Sequence, residues 1–153
     1  MIAVRPLKIH EVHDCVPFGQ AFHDELKLAG SFIPQCFVDN WITFLSTYPA
    51  VIFGLFNDGA LIGGLGGMVA PDLYDARLYA QEFFWFIGKE HRSGSGALRL
   101  LRAFEQWAIE KQATELRMVH LVGDQANDLE AFYRSLGYVK VEVCYRKPLP
   151  KKD

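Results

Sequence analysis

The 153-residue sequence predicts an α/β (α+β) fold, a single domain over residues 1–153. Its sheet is mixed and mostly antiparallel, with about six strands and with helices on both faces. Three observations predict this. Half of the residues are hydrophobic, which suits a globular chain with one sizeable core. A hairpin pattern occupies the middle of the chain, and strand and helix patterns alternate after it. The predicted order is β-α-α-β-β-β-α-β-α-β.

The first third of the chain contains one strand and two helical stretches. The segment IAVRPL (2–7) has the composition of a strand and is ended by Pro6. Residues 10–28 have scattered helical spacing that we expect to break near Pro17. Residues 34–47 place aromatic and aliphatic side chains three and four positions apart, which predicts a second helix.

Three strands are predicted in the middle of the chain. Residues 50–70 consist of two apolar runs joined by Asn57-Asp58-Gly59, and Asp-Gly is a strong signal for a hairpin turn. The aromatic run over 79–88 predicts a further strand, bounded by Gly88.

The clearest helix pattern covers 97–111. Apolar residues recur there at three- and four-residue steps, and charged residues occupy the opposite face. The segment ELRMVHLVG (115–123) predicts the next strand. A helix between two strands indicates a crossover connection.

The last two elements are a short helix and a terminal strand. Over 127–137, Asn127 is a candidate cap, Glu130 stands at the capping-box position and Gly137 is a C-terminal stop signal. The alternating segment 138–149 predicts a final strand, ended by a proline.

Charge and cysteine usage exclude several classes of protein. The formal net charge of −2 disfavours a nucleic-acid partner, which usually requires a basic surface. Three widely spaced cysteines without a CxxC pair indicate free thiols in a reducing compartment. We predict no metal site. The sequence shows neither a signal peptide nor an apolar run of membrane-spanning length, so we expect a cytoplasmic protein without a membrane partner.

The segment HRSGSGALRLL (91–101) carries the strongest chemical signal. It matches neither the Walker A pattern nor the complete dinucleotide fingerprint. However, it lies between an aromatic strand and a long amphipathic helix, so the backbone N–H groups from Ser93 to Leu98 can converge on one anion at a helix N-terminus. Arg92 adds a positive charge. A tight strand-to-helix turn that the two glycines merely permit explains these residues equally well.

Two motifs resemble the GNAT superfamily of acyl-CoA-dependent N-acetyltransferases. The family's loop pattern is [QR]-x-x-G-x-[GA] followed by paired leucines. Counted back from Leu100-Leu101, Arg92 takes the basic position, and Ser95 and Ala97 take the two small positions. The segment LEAFYRSLGY (129–138) is similar to the family's A-x-x-[LF]-Y-x-x-x-G-[FY] ending. AFHDEL and EFFWFIGKEHRSG resemble phage and prophage members.

The resemblance implies acetyl-CoA as the acyl donor, bound where strands 82–87 and 115–121 separate. The backbone N–H groups of Phe86 and Ile87 would polarise the thioester carbonyl, and Asn127 would also contact the cofactor. The remaining predicted cofactor-binding residues form the loop that would hold the pyrophosphate: Arg92, Ser93, Gly94, Ser95, Gly96 and Ala97.

The resemblance also implies direct transfer to an amine. Tyr133 matches the general acid that protonates the coenzyme A sulfur. Glu82, an isolated carboxylate in an aromatic strand, and His120 are alternative bases, and a water chain is a third. Each candidate also has a structural explanation: Tyr133 as a core residue, Glu82 as a rim carboxylate and His120 as a satisfied, half-buried histidine.

The expected function is acetyl-CoA-dependent acetylation of a primary amine on a small molecule or peptide. The alternative is a non-catalytic acyl-CoA-binding or protein-interaction module on the same fold. No motif identifies the acceptor. His23 and Glu25 lie where the family binds acceptors, although a solvated helix face explains them equally well. Domains of this kind often pair, so a homodimer is a further expectation.

Overall fold

The computed structural model describes residues 1–120 and 126–152. These residues form two compact units, Met1–Val119 and His120–Asp153. Within the described residues, no helix is both long enough and apolar enough to cross a membrane.

The first unit is built on one mixed sheet with the strand order β1-β2-β3-β4-β5. Each of the first three neighbouring pairs is antiparallel, and β4 and β5 are parallel. The mixed, mostly antiparallel sheet that the sequence predicts is therefore confirmed, with five strands in the described residues. Their bounds are β1 Ile2–Pro6, β2 Ala50–Asn57, β3 Ala60–Pro71, β4 Leu78–Ile87 and β5 Ala113–Arg117.

A tight turn and a bulge determine how the central strands pair. Asp58 and Gly59 both have positive φ angles, 48° and 85°, as a two-residue hairpin turn requires, which confirms the predicted β2–β3 hairpin. In the β3–β4 pair, Gly66 lies opposite Phe84 and Gly67 lies opposite Glu82. Phe83 is therefore an extra residue, and β4 bulges there.

Helices cover both faces of the sheet, as predicted. A 3-10 helix (Ile9–Cys15), α1 (Val16–Glu25) and α2 (Pro34–Thr47) pack on one face, and α3 (Gly96–Glu110) packs on the other. Pro17 stands in the first turn of α1, where its missing N–H costs nothing. The helical stretch predicted over 10–28 is therefore divided near Pro17, as predicted: the 3-10 helix ends at Cys15 and α1 begins at Val16.

The second unit contains α4 (Ala126–Ser135). Gly137 has a φ of 88° and follows the helix end, which confirms the predicted stop signal. The predicted capping box is wrong. Asn127 lies inside the helix, and the Glu130 carboxylate pairs with Arg134 (2.8 Å) and Lys140 (3.2 Å).

Two predicted strands differ from the structure. The strand predicted over 115–123 ends at Arg117, and residues 121–123 lie outside the described residues. Residues 138–149 form no strand, and the alternating Val139, Val141 and Val143 are all exposed. Alternating polar and apolar residues form a strand only when the segment pairs with the edge of a sheet, and residues 138–149 pair with none of the five described strands.

Candidate active site

The functional region of the first unit begins where two parallel strands separate. β4 and β5 pair from Leu78 with Ala113 to Gln81 with Arg117, and β5 ends at that point. β4 continues to Ile87 without a described strand on that side. From Glu82 to Ile87, the β4 backbone therefore pairs with no strand of residues 1–120 and 126–152 on this side.

The direction of the β4 backbone decides which N–H group faces that edge. The Gly88 N–H donates to the Ile62 carbonyl of β3 (2.9 Å), and the Ile87 carbonyl on the opposite side accepts from Arg92 Nε (2.8 Å). Backbone groups alternate in direction along a strand, so the Ile87 N–H also faces away from β3. The Phe86 N–H instead faces β3, so the structure favours Ile87 as a donor to a bound ligand.

The loop after β4 leads directly into the N-terminus of α3. The first backbone bond within this helix runs from the Arg99 N–H to the Ser95 carbonyl (3.0 Å), which leaves the N–H groups of Gly96, Ala97 and Leu98 before it. No side chain in the described residues caps this end, because the Ser95 hydroxyl accepts from Arg99 Nε (3.0 Å). Three aligned donors at a positive helix end fit an anion such as a pyrophosphate.

The two loop glycines have different reasons to be present. A Cβ on Gly96 would lie 2.6 Å from Leu55 Cδ2, so only glycine lets α3 approach β2 this closely. A Cβ on Gly94 would meet nothing within 4 Å. Neither residue has a positive φ, so neither supplies a left-handed backbone conformation. The close approach at Gly96 agrees with a tight turn that the glycines permit, and the anion-binding role of the loop stays a prediction.

Arg92, predicted to contact the cofactor, is paired with a residue distant in sequence. Its guanidinium forms a bidentate ion pair with the Glu25 carboxylate at 2.6 and 2.7 Å, and it lies over the Phe86 ring at 5.0 Å from the centroid. The same pair holds the pKa of Glu25 below its usual range. The arginine thus joins α1 to the loop, and its contact with the pyrophosphate stays a prediction. Glu25, predicted near the acceptor, is its partner.

Glu82 is the one charged residue among the buried side chains of the described chain. It is 5 % exposed, and its Oε2 accepts from the Val119 N–H at 3.1 Å. Burial raises the pKa of Glu82 to about 7, and the Val119 hydrogen bond opposes that increase. A carboxyl with this pKa can accept a proton near neutral pH, and the rim position weighed as its alternative is wrong.

The other two predicted catalytic side chains belong to the second unit and lie together. The rings of His120 and Tyr133 stack with centroids 6.3 Å apart. Tyr133 is buried and also packs against Tyr138 (5.4 Å). His120 is half-buried and lies beyond the end of β5, so its predicted place on a strand is wrong. The side chain of Asn127 lies outside the described residues.

Sequence reasoning missed an aromatic pocket in the first unit. It has a volume of about 390 Å³ and lies between α1, α2 and β4. His23 lines it, and its Nε2 is buried without a hydrogen-bond partner in the described residues. The aromatic spacing in α2 indicated only a buried helix face, so no sequence signal separated pocket residues from core residues. The aromatic residues that line the pocket include Phe22, Phe32, Phe37, Trp41, Phe44 and Phe83.

Comparison with known proteins identifies one family. The model of the acetyltransferase (GNAT) family matches residues 19–138 of the chain. None of the curated proteins matches the sequence significantly.

Solved structures with the same fold include acetyltransferases of different kinds. An aminoglycoside acetyltransferase from an uncultured soil metagenomic sample has a TM-score of 0.78 and 18 % identity, over 98 % of this chain and 99 % of its own. A ribosomal-protein-alanine N-acetyltransferase from Brucella melitensis has a TM-score of 0.76 and 16 % identity, over 98 % and 100 %. An acetyltransferase from Trypanosoma brucei has a TM-score of 0.74 and 13 % identity, over 97 % and 100 %.

Proposed function

Because this chain belongs to the acetyltransferase (GNAT) family, we propose that it uses acetyl-CoA to acetylate a primary amine of a small molecule or peptide. The family establishes acyl transfer as the class of reaction. What we propose is that the acyl donor is acetyl-CoA and that the acceptor is a primary amine. Since the family match covers residues 19–138, which belong to both units, we also propose that residues 1–153 act as one catalytic domain.

One observation carries the proposal: the N-terminus of α3 follows directly on the open stretch of β4. The Ile87 N–H and the N–H groups of Gly96, Ala97 and Leu98 belong to one short segment of chain. A ligand with an anionic group at the helix end and a carbonyl along the strand would use both sets of donors. Acyl-CoA has that combination of a pyrophosphate and a thioester.

The side chains provide the proton transfers that the reaction needs. Acetyl-CoA supplies an activated acetyl group. The Ile87 N–H donates to the thioester oxygen as negative charge develops there. Glu82, ionised above its pKa of about 7, accepts the proton that the attacking amine must lose. The Tyr133 hydroxyl donates to the sulfur as the C–S bond breaks. His120 remains the alternative base.

A binding experiment combined with a turnover experiment tests the proposal. We expect acetyl-CoA to raise the melting temperature, because it binds only the folded state. With an amine panel, we expect free thiol to appear at a rate that depends on the amine. The absence of a thermal shift at millimolar acetyl-CoA would refute the cofactor assignment. A shift without thiol release for any amine or peptide would favour the non-catalytic module.

Replacing Tyr133 by phenylalanine tests the general acid. The variant keeps the ring that packs against His120 and Tyr138 and removes only the hydroxyl. We expect kcat to fall about 10²–10⁴-fold, with acetyl-CoA affinity changed much less. Tyr138→Phe is the matched control in the same ring cluster. An unchanged kcat would remove Tyr133 from the chemistry.

A further inference from the structure

The aromatic pocket has the size and composition of a small-molecule site. Its volume of about 390 Å³ falls within the range of about 300–1,000 Å³ that is usual for ligand sites. All of its lining residues belong to the first unit, in or between α1, α2 and β4. Phe83, the bulge residue of β4, is 49 % exposed and lies 6.1 Å from the Phe44 ring. The bulge therefore turns an aromatic ring out of the strand and into the pocket wall.

His23, which the family resemblance places near the acceptor, lines this pocket, and we propose that the acceptor bound there is a small primary amine with an apolar body, aromatic or branched aliphatic. This inference rests on the proposed function and specifies its substrate. Seven Phe and Trp rings line the pocket and can pack on both faces and the edges of such a body. β4 runs directly from Phe83 to Ile87, so the occupant lies along the strand that carries the proposed carbonyl donor.

The charge of the lining separates this class of acceptor from others. The pocket has no Asp, Glu, Lys or Arg side chain among its described lining residues. A polycationic amine such as an aminoglycoside would lose hydration there without gaining an ion pair, which is costly for each buried charge. A single ammonium group can be accommodated through cation–π contact with the rings.

His23 supplies the polar contact that would orient the acceptor. Its Nε2 is buried and has no hydrogen-bond partner in the described residues. A ring nitrogen of a neutral imidazole either donates or accepts, and the amino group of the ligand can do both. A buried polar nitrogen without a partner is costly, and a hydrogen bond to the ligand would satisfy it.

Calorimetric titration with 2-phenylethylamine, in the presence of coenzyme A, tests the pocket directly. We expect saturable binding to the wild-type protein. Ethanolamine, which lacks an apolar body, should bind at least about 30-fold more weakly, because it has no aromatic surface to bury; a difference of about 30-fold corresponds to about 2 kcal/mol. Kanamycin should also bind more weakly. Equal binding of ethanolamine, or tighter binding of kanamycin, would overturn the inference.

Variants at His23 test whether 2-phenylethylamine binds in the aromatic pocket. His23→Ala should weaken 2-phenylethylamine about 3- to 10-fold, the effect of one hydrogen bond. His23→Gln retains a polar group at the end of the side chain and should recover part of that loss. His13→Ala, an exposed histidine outside the pocket, is the control and should bind as the wild type does. If His23→Ala binds as tightly as the wild type and folds, the pocket assignment is wrong.

Turnover measurements distinguish a failure of this inference from a failure of the proposed function on which it rests. A preference of at least about tenfold in kcat/KM for 2-phenylethylamine over an alanine-terminated peptide and kanamycin supports both. Turnover with a reversed preference overturns the acceptor class and leaves the proposed function intact. Pocket binding of 2-phenylethylamine without thiol release from any amine overturns the acceptor role, while acetyl-CoA binding is judged separately by the thermal shift.

Discussion

The two faces of the sheet differ in chemistry and in how closely they are covered. The face under α3 is mostly aliphatic, with Leu55, Leu65 and Leu100 fully buried. The face under α1 and α2 is rich in aromatic residues, including Trp41, Phe84 and Phe86, and it contains the open pocket. The α3 face positions the backbone N–H groups at the N-terminus of α3, whereas the aromatic face presents side chains. The closely packed face therefore suits the proposed acyl donor, which is the same in every reaction, and the aromatic face suits the proposed acceptor, which has to be selected.

The bulge at Phe83 produces this difference within a single strand. Ala80 belongs to the core on the α3 face, whereas Phe84 and Phe86 belong to the core on the other face. Uninterrupted alternation would put all three on one face. The extra residue, Phe83, reverses the alternation, so the side chains after it point to the opposite face from the one that regular alternation would give them. The buried Glu82 lies directly before it.

The largest expected effect is the loss of catalysis when Glu82, the residue directly before the bulge, is replaced. Glu82→Gln keeps an oxygen that can accept from the Val119 N–H but cannot take a proton. We expect kcat/KM to fall about 10²–10⁴-fold, and the inflection near pH 7 to disappear from its pH profile. Glu110→Gln, on an exposed part of α3, is the control. A retained inflection would transfer the base role to His120 or to water.

The same substitution has an opposite effect on stability. The pKa of Glu82 is raised to about 7 in the folded protein, so the folded state binds more protons than the unfolded state between the unfolded pKa and pH 7. Wild-type stability then falls as pH rises through that window and levels off above it. Glu82→Gln should remove this slope and, at pH 8, raise the free energy of unfolding by up to roughly 3 kcal/mol. Urea denaturation at pH 5 and pH 8 measures it. An unchanged slope would contradict the burial account.

Two neighbouring glycines compare the packing of the two faces. A Cβ on Gly67 would lie 2.3 Å from the Gln81 carbonyl oxygen and 2.5 Å from the Phe104 ring under α3. A Cβ on Gly66 would lie 2.5 Å from the Trp41 ring, beside the pocket. The backbone contact cannot yield, whereas the Trp41 ring has open space next to it. We expect Gly67→Ala to cost about 3 kcal/mol and Gly66→Ala about 1 kcal/mol.

Chemical denaturation of both glycine variants measures this difference. Gly66→Ala should also weaken binding of 2-phenylethylamine, because a displaced Trp41 ring enters the pocket. Gly67→Ala should leave that binding intact in the folded fraction. Equal losses of stability would mean that the two faces are equally rigid.

A smaller effect is expected at the ion pair between Arg92 and Glu25. Both side chains are partly exposed, so we expect Glu25→Gln to cost about 1–2 kcal/mol at pH 7. Since Arg92 lowers the pKa of Glu25, the stabilisation exists above the unfolded pKa and is lost on acidification. Thermal melts of wild type and variant should therefore converge as pH falls. Arg92→Gln tests the predicted contact of Arg92 with the pyrophosphate: we expect it to reduce the thermal shift caused by acetyl-CoA, and a full shift would leave the phosphate to the backbone N–H groups.

The smallest effect is expected at Gly94, where a Cβ would meet nothing within 4 Å. Gly94→Ala should change the free energy of unfolding by less than about 0.5 kcal/mol. It is the matched control for Gly96→Ala, which collides with the buried Leu55 and should cost about 1–2 kcal/mol. A large loss at Gly94 would contradict the described path of the loop.

Local signals predicted the α3 face well. The Asp58-Gly59 turn, the amphipathic pattern of α3 and the loop before it depend on neighbouring residues, and the sequence contains them. Contacts distant in sequence were not predictable. The ion pair of Arg92 with Glu25 spans 67 positions, and the bulge at Phe83 is hidden in an unbroken aromatic run. The alternating segment 138–149 had a strand pattern, but a strand also needs an edge to join.

A backbone amide NMR titration with acetyl-CoA, which carries both the pyrophosphate and the thioester carbonyl, tests the central claim most directly, because the claim concerns individual N–H groups. We predict the largest chemical-shift changes at Ile87 and at Gly96, Ala97 and Leu98, with small changes at His23 and Phe37 in the aromatic pocket. Shifts concentrated in the aromatic pocket, with the N-terminus of α3 unaffected, would contradict the assignment of the two faces.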